Sequence, residues 1–158
     1  MNIFQIEGLT KVYGPREVLR VDSLEVKGSE ILGIMGPSGS GKSTLLRLLN
    51  FLEPPTEGAI RFRGKAIQGN GDLPLDLRRK ITMVFQRPVL LSGTVRENVA
   101  YGLRLRKEKG TDGRVEEILR WVGLEELASA PAGTLSGGER QRLPINKYLL
   151  IEPEVLLL

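Results

Sequence analysis

The sequence predicts an α/β fold: a buried strand, a glycine-rich loop and a helix at its centre, an antiparallel β edge before them, and a helical subdomain after. Three observations predict it. Ile31-Leu32-Gly33-Ile34-Met35 is continuously apolar, as a strand covered on both faces requires, and runs through a glycine-rich turn into the helical stretch from Lys42 to Leu49. Ahead of it, Ile3 to Leu9 and Leu19 to Val26 read as half-buried antiparallel strands; in the second, Leu19, Val21, Leu24 and Val26 alternate with one slip that predicts a bulge or break. From Arg87 onward the apolar spacing turns helical.

The remaining elements follow in order. Glu53-Pro54-Pro55-Thr56-Glu57-Gly58 stops the first helix, and Ala59 to Arg63 with Gly64 reads as an edge strand. Ile81 to Phe85 is a second buried-strand candidate. Thr94 is placed to cap a helix through Val95, Asn98, Val99 and Leu103. Val115, Ile118, Leu119 and Val122 stand at i, i+3, i+4 and i+7, which gives a helix one apolar face. Nine basic residues lie between Arg78 and Lys109 against Glu97 and Glu108, the pattern of a solvated face. The reading divides the chain into 1–86, a core with the antiparallel β subdomain; 87–134, a helical subdomain; and 135–158, a last helix and the start of a strand.

Composition narrows the chemistry. A chain of 158 residues with 41% hydrophobic and 27% charged residues is a folding domain and not a disordered tail. It has no cysteine and no histidine, which removes disulfides, thiolate metal sites and the commonest general base. The net charge of +4 is that of an ordinary solvated surface. The start lacks a secretory pattern, and no apolar run approaches the ~18 residues of a membrane span. The expected location is therefore the cytoplasm, with any membrane role that of a peripheral subunit.

Gly36-Pro37-Ser38-Gly39-Ser40-Gly41-Lys42-Ser43, continued by Thr44, fits the phosphate-loop pattern G-x-x-x-x-G-K-[ST]. Glycines let the backbone curl so that successive N–H groups point inward, the following helix offers its positive end, Lys42 reaches terminal phosphates and Ser43 can hold magnesium. A second motif, Leu135-Ser136-Gly137-Gly138-Glu139-Arg140-Gln141-Arg142, begins its serine 94 residues after Lys42. Ser136 is a good helix N-cap, and Gly137 and Gly138 leave bare amides at a helix start, which is an anion site.

The two motifs together resemble the ATP-binding subunit of ABC transporters of the importer type. That resemblance implies a phosphate-loop nucleotide-binding core with ATP and Mg2+ as cofactors. It implies that Gly36, Pro37, Ser38, Gly39, Ser40, Gly41, Lys42, Ser43 and Thr44 bind the nucleotide, with Tyr13 stacking on adenine and Val18 as its apolar neighbour. Gln86 takes the place of the glutamine that meets magnesium and the attacking water, so the implied metal positions are Ser43 and Gln86. Leu135, Ser136, Gly137, Gly138, Glu139 and Gln141 are implied to act on the ATP of a partner subunit, in a homodimer or with a paired ATPase subunit. The segment Arg87-Pro88-Val89-Leu90-Leu91 and the helices through Val122 match the subdomain that docks on transmembrane permease subunits, which places the protein at the inner face of the cell membrane. The Pro88-Val89-Leu90 region and the run Asn98 to Leu103 resemble importers of small oxyanions such as tungstate or phosphate. A DNA-maintenance ATPase separates the motifs by long or zinc-bearing insertions, so no nucleic-acid partner is expected, and a nucleotide kinase lacks the second motif.

Two departures from the family pattern carry expectations of their own. Glu154 to Leu158 reads as the start of the strand that in the family leads into the magnesium-holding aspartate, the catalytic glutamate and later a switch histidine. On that reading the chain is C-terminally incomplete, a truncated product or a degenerate copy, and the alternative function is a non-hydrolysing nucleotide-binding fragment. The helix after the second motif contains Pro144, whose missing N–H and clash with the carbonyl of Arg140 predict a kink or an early helix end.

Overall fold

The computed structural model describes residues 1–67, 73–85 and 90–158, with the backbone alone at 144–149. It consists of two units, 1–79 and 80–158.

In the first unit, β1 (Asn2–Tyr13) and β2 (Arg16–Lys27) form a long hairpin, closed by Tyr13 opposite Arg16 with Gly14 at φ +57°. Both strands outrun the expected ones. The irregularity expected between Val21 and Leu24 is absent, since Ile6, Glu7 and Leu9 pair with Leu24, Ser23 and Val21 in one register; the shifts lie instead between Asn2 and Phe4 and between Lys11 and Val12. β3 (Glu57–Phe62) pairs with the other side of β1, and β4 (Lys65–Ile67) returns through Arg63 and Gly64, both at positive φ. Two consecutive positive-φ residues are what a two-residue hairpin turn needs to match strand twist. The sheet order is β2-β1-β3-β4, so β3, expected at an edge, is internal and β4 takes the edge.

Alternation in β1 sends Phe4 and Ile6 to one face, where they lie opposite Phe62 and Ile60 of β3. All four are 1% exposed or less. α1 (Lys42–Leu49) buries Leu45, Leu48 and Leu49. Phe51, just past the helix, places its ring 6.4 Å from those of Phe4 and Phe62, which are 5.1 Å from each other. This tilted three-ring cluster ties the C-terminal end of α1 to the sheet. A single-turn helix, α2 (Leu75–Arg78), ends the unit.

The segment Ile31–Met35 corrects the sequence reading. It forms no strand, and Ile31 and Met35 are fully or almost fully exposed. A continuously apolar strand is stable only with ladder partners and covered faces, and its periodicity says nothing of whether those neighbours are in place.

In the second unit, β5 (Ile81–Met83) and β6 (Val155–Leu157) pair in parallel, Ile81 opposite Val155. Val84 N–H extends the ladder to the carbonyl of Leu157 at 2.8 Å. The helical part comprises α3 (Val95–Leu105), α4 (Asp112–Trp121), a 3-10 turn at Ala132–Thr134 and α5 (Gly137–Leu149). Thr94 caps α3 as the sequence predicts, in a capping box: its Oγ1 accepts from Glu97 N–H, and its own N–H donates to the Glu97 carboxylate. Val95, Val99 and Leu103 of α3 join Val115 and Leu119 of α4 and Leu143 of α5 in one buried cluster. Asn98, on the same helix, is 2% exposed and fully bonded: its amide donates to the carbonyls of Leu91 and Thr94 and accepts from Leu91 N–H.

Several of the basic residues read as solvated have partners. Lys80 pairs with Glu154 at 2.6 Å and Arg96 with Glu116 at 3.4 Å, and Arg106 donates to the carbonyl of Ile151.

α5 continues through Pro144 to Leu149, so the expected early end does not occur. The cost of a proline is local, about 3 kcal/mol, and packing of the helix into the buried cluster offsets it. Replacing the proline therefore restores a helical N–H. Pro144→Ala should raise stability by about 1 to 3 kcal/mol, seen as a higher denaturant midpoint with an unchanged slope.

Candidate functional site: an uncapped helix start beside the β1–β2 hairpin

The glycine-rich loop is shaped by three positive-φ glycines, Gly36 at +154°, Gly39 at +83° and Gly41 at +90°. Gly41 is both conformationally and sterically obligatory. A Cβ there would stand 2.7 Å from the carbonyl oxygen of Val18 and 3.0 Å from Leu19 Cδ1, so the loop rests on β2 only because that atom is missing. Within the loop Ser40 N–H bonds the carbonyl of Pro37 at 3.3 Å, and the helix ladder begins with Leu45 N–H to Gly41 C=O at 2.8 Å.

That start leaves the amides of Lys42, Ser43 and Thr44 without intrahelical acceptors. No side chain caps them, and the first turn of α1 holds no acid. Lys42 folds back over the loop, its Nζ donating to the carbonyls of Gly36 at 2.8 Å and Pro37 at 2.7 Å, with Ser40 Oγ at 3.5 Å. Uncapped amides, a helix dipole and an ammonium group held by neutral loop oxygens meet in one place, a donor set with no anionic partner among the described residues and one that fits a phosphate group. Ser43, solvent-exposed in the first turn, offers a hydroxyl oxygen beside it, the hard ligand type that magnesium takes.

Tyr13 ends β1 and is 43% exposed. Its phenol donates to Glu53 Oε2 at 2.5 Å, and Lys11 Nζ lies 5.2 Å from the centre of its ring. The Glu53 carboxylate beside the phenol, followed by desolvation, raises the Tyr13 pKa above its usual value. The backbone carbonyl of Val18 faces Gly41, so the same hairpin carries Tyr13 at its tip and supports the loop on β2. Lys11 and Glu53 were not legible as site residues: one is a common residue in a strand, and the other read only as part of a helix stop.

The second motif opens α5. Leu135 is 4% exposed and anchors it in the core, whereas Ser136, Gly137, Gly138 and Gln141 lie on the surface. Ser136 caps the helix as expected, and it does so within a box: its N–H and Oγ each donate to Glu139 Oε2 at 2.7 Å, and Glu139 N–H approaches Ser136 Oγ at 3.5 Å. Beyond the Cβ positions of Gly137 and Gly138 there is open space. Arg140 bonds back to the carbonyls of Leu135 and Gly133, which fixes the approach to the helix. Gln86 and the segment Arg87-Pro88-Val89 lie outside the described residues.

Strand hairpin, phosphate-type loop and uncapped helix define a phosphate-loop protein. The family model of ABC transporters matches residues 19–158, and the chain belongs to that family. It is 45% identical to Protein STAR1 of Oryza sativa subsp. japonica over 157 residues, which is 98% of this chain and 45% of that protein. It is 41% identical to the tungstate uptake system ATP-binding protein TupC of Peptoclostridium acidaminophilum, over 97% of this chain and 69% of the relative. Among solved structures, cbiO1 from Clostridium perfringens, part of the ABC transporter complex cbiONQ, superposes with a TM-score of 0.82 at 32% identity, over 98% of this chain and 64% of that one. The chain thus spans about half to two thirds of the length of these proteins.

Two outcomes test the geometry. Gly41→Ala should destabilise the loop and abolish nucleotide binding, because Val18 C=O must move for a methyl group to fit; equal ATP affinity in wild type and variant by calorimetry overturns this. The bond from Ser136 holds the Glu139 carboxyl below its ordinary value of 4.5, and Glu97 is held down in the same way by Thr94. A depressed carboxyl contributes stability that is present above the ordinary value and lost as pH falls through the lowered one. The denaturant midpoint should therefore fall as pH drops below about 4.5, with a flatter decline in Glu139→Gln and Glu97→Gln than in wild type.

Proposed function

We propose that this chain is the ATP-binding part of an ABC importer, binding MgATP to power uptake of a solute. The observation that carries the reading is the start of α1: three unpaired amides and Lys42, with neither a capping side chain nor a first-turn acid, in a chain of the ABC transporter family. The loop amides from Gly39 to Thr44 and Lys42 take the β- and γ-phosphates, Lys42 exchanging its two loop carbonyls for phosphate oxygens. Ser43 would hold the magnesium ion, which would supply positive charge to the phosphate oxygens when bound; Gln86, the second metal ligand that the resemblance implies, lies outside the described residues. Tyr13 offers its ring to the base.

Ser136 with Gly137 and Gly138 meets the terminal phosphate bound to a partner subunit, in a homodimer or a pair of ATPase subunits. The exposure of these residues and the space around both glycines support that role. Permease subunits are the membrane partners, docking on the helical subdomain and holding the protein at the inner face of the cell membrane. Among the described residues no helix is long and apolar enough to cross a membrane. The similarity to the tungstate uptake protein supports a small oxyanion as the solute.

Lys42→Ala removes the charge aimed at the β- and γ-phosphates and leaves the buried residues of α1 in place. ATP affinity by calorimetry should fall at least about tenfold, since a charge-assisted bond is worth roughly 1.5 to 3 kcal/mol. Unchanged affinity overturns the proposal.

A further inference from the structure

Lys11, Glu53 and the phenol of Tyr13 form a small charged cluster that the phosphate-loop reading does not use. Its frame is rigid. Lys11 Nζ donates to the carbonyl of Pro54 at 2.6 Å, Val12 N–H to Thr56 Oγ1 at 3.0 Å, and Thr56 N–H to the carbonyl of Thr10 at 2.9 Å. The turn after α1 is thereby clamped to the end of β1, which sets Glu53 beside Lys11 and Tyr13, with Arg47 also beside the phenol. Its Oε2 serves two partners, the Tyr13 phenol at 2.5 Å and Lys11 Nζ at 3.4 Å.

Its other oxygen, Oε1, is buried with no hydrogen-bond partner among the described residues. A carboxylate kept with one oxygen desolvated and unbonded is a poor stability device. The arrangement makes sense as a means of holding the ring. Lys11 Nζ lies over the ring of Tyr13 and Glu53 accepts from its hydroxyl, so a partly exposed ring is held at two points.

We propose that Glu53, held by Lys11, is a positioning residue that fixes the ring of Tyr13 for stacking on the nucleotide base. The inference rests on the reading of Tyr13 as the base platform. A fixed ring has already lost the rotamer freedom that a loose one would lose on binding, so the effect falls on base recognition and not on the phosphates.

The test measures calorimetric affinity of the full chain for ATP and for tripolyphosphate, which lacks a base. Tyr13→Ala should weaken ATP binding about tenfold or more, the scale of base–aromatic stacking. Tyr13→Phe, which keeps the ring and removes only its hydroxyl, and Glu53→Ala should each weaken ATP binding about threefold. The double variant should lose no more than either, because both break one bond. Tripolyphosphate affinity should not change in any of them. A loss in Tyr13→Ala with wild-type ATP affinity in Tyr13→Phe and Glu53→Ala overturns the inference and leaves the base reading standing. Wild-type ATP affinity in Tyr13→Ala overturns both. Equal loss of ATP and tripolyphosphate affinity in Glu53→Ala assigns Glu53 a structural role and overturns the inference. Should Glu53→Ala fail to fold, Tyr13→Phe, which alters no buried group, decides alone.

Discussion

The carbonyl of Val18 lies where a side chain on residue 41 would begin, and the first unit's chemistry depends on that close approach. Because Gly41 has no Cβ, the loop settles on β2 and α1 starts at Lys42 with no side chain capping its first turn. β2 is in turn held by its long ladder to β1, and β1 by burial of Phe4 and Ile6 against β3. A sheet face of a few aromatic and aliphatic residues thus holds the hairpin on which the loop rests.

The described helix starts divide by how they treat their amides. α3 and α5 each carry a hydroxyl at the cap and a glutamate three residues on, so that the cap residue and the glutamate satisfy each other. α1 has glycine at the cap and no acid in its first turn. The difference is chemical: a helix that brings its own carboxylate has part of its positive end answered, and one that brings none leaves the full donor set for an anion. At α5 the answer is partial, since Glu139 bonds Ser136 and leaves Gly137 and Gly138 uncovered.

Much of the site was legible because its parts are local. Glycines at fixed offsets with Lys42 and Ser43, and Ser136 three residues before Glu139, specify loop and cap geometry within eight residues, and the structure shows both. Glu53 leaves no signal in the sequence because its bonds span long separations. Glu53 meets Tyr13 from 40 residues away, and the roles of Lys11 and Glu53 exist only once the turn after α1 is clamped to β1.

The sequence by itself determined the nucleotide loop, the caps of α3 and α5, the amphipathic faces of α3 and α4 and the family, because each is written in the spacing of a few neighbouring residues. Tertiary structure decided which strands pair. Ile31–Met35 has the composition of a buried strand but no ladder, β3 became internal when β4 added beyond it, and α5 runs through Pro144 because its neighbours hold it there. The physical reason is that local patterning sets which conformations are inexpensive, whereas ladder pairing, close backbone approach and burial depend on what the rest of the chain brings alongside.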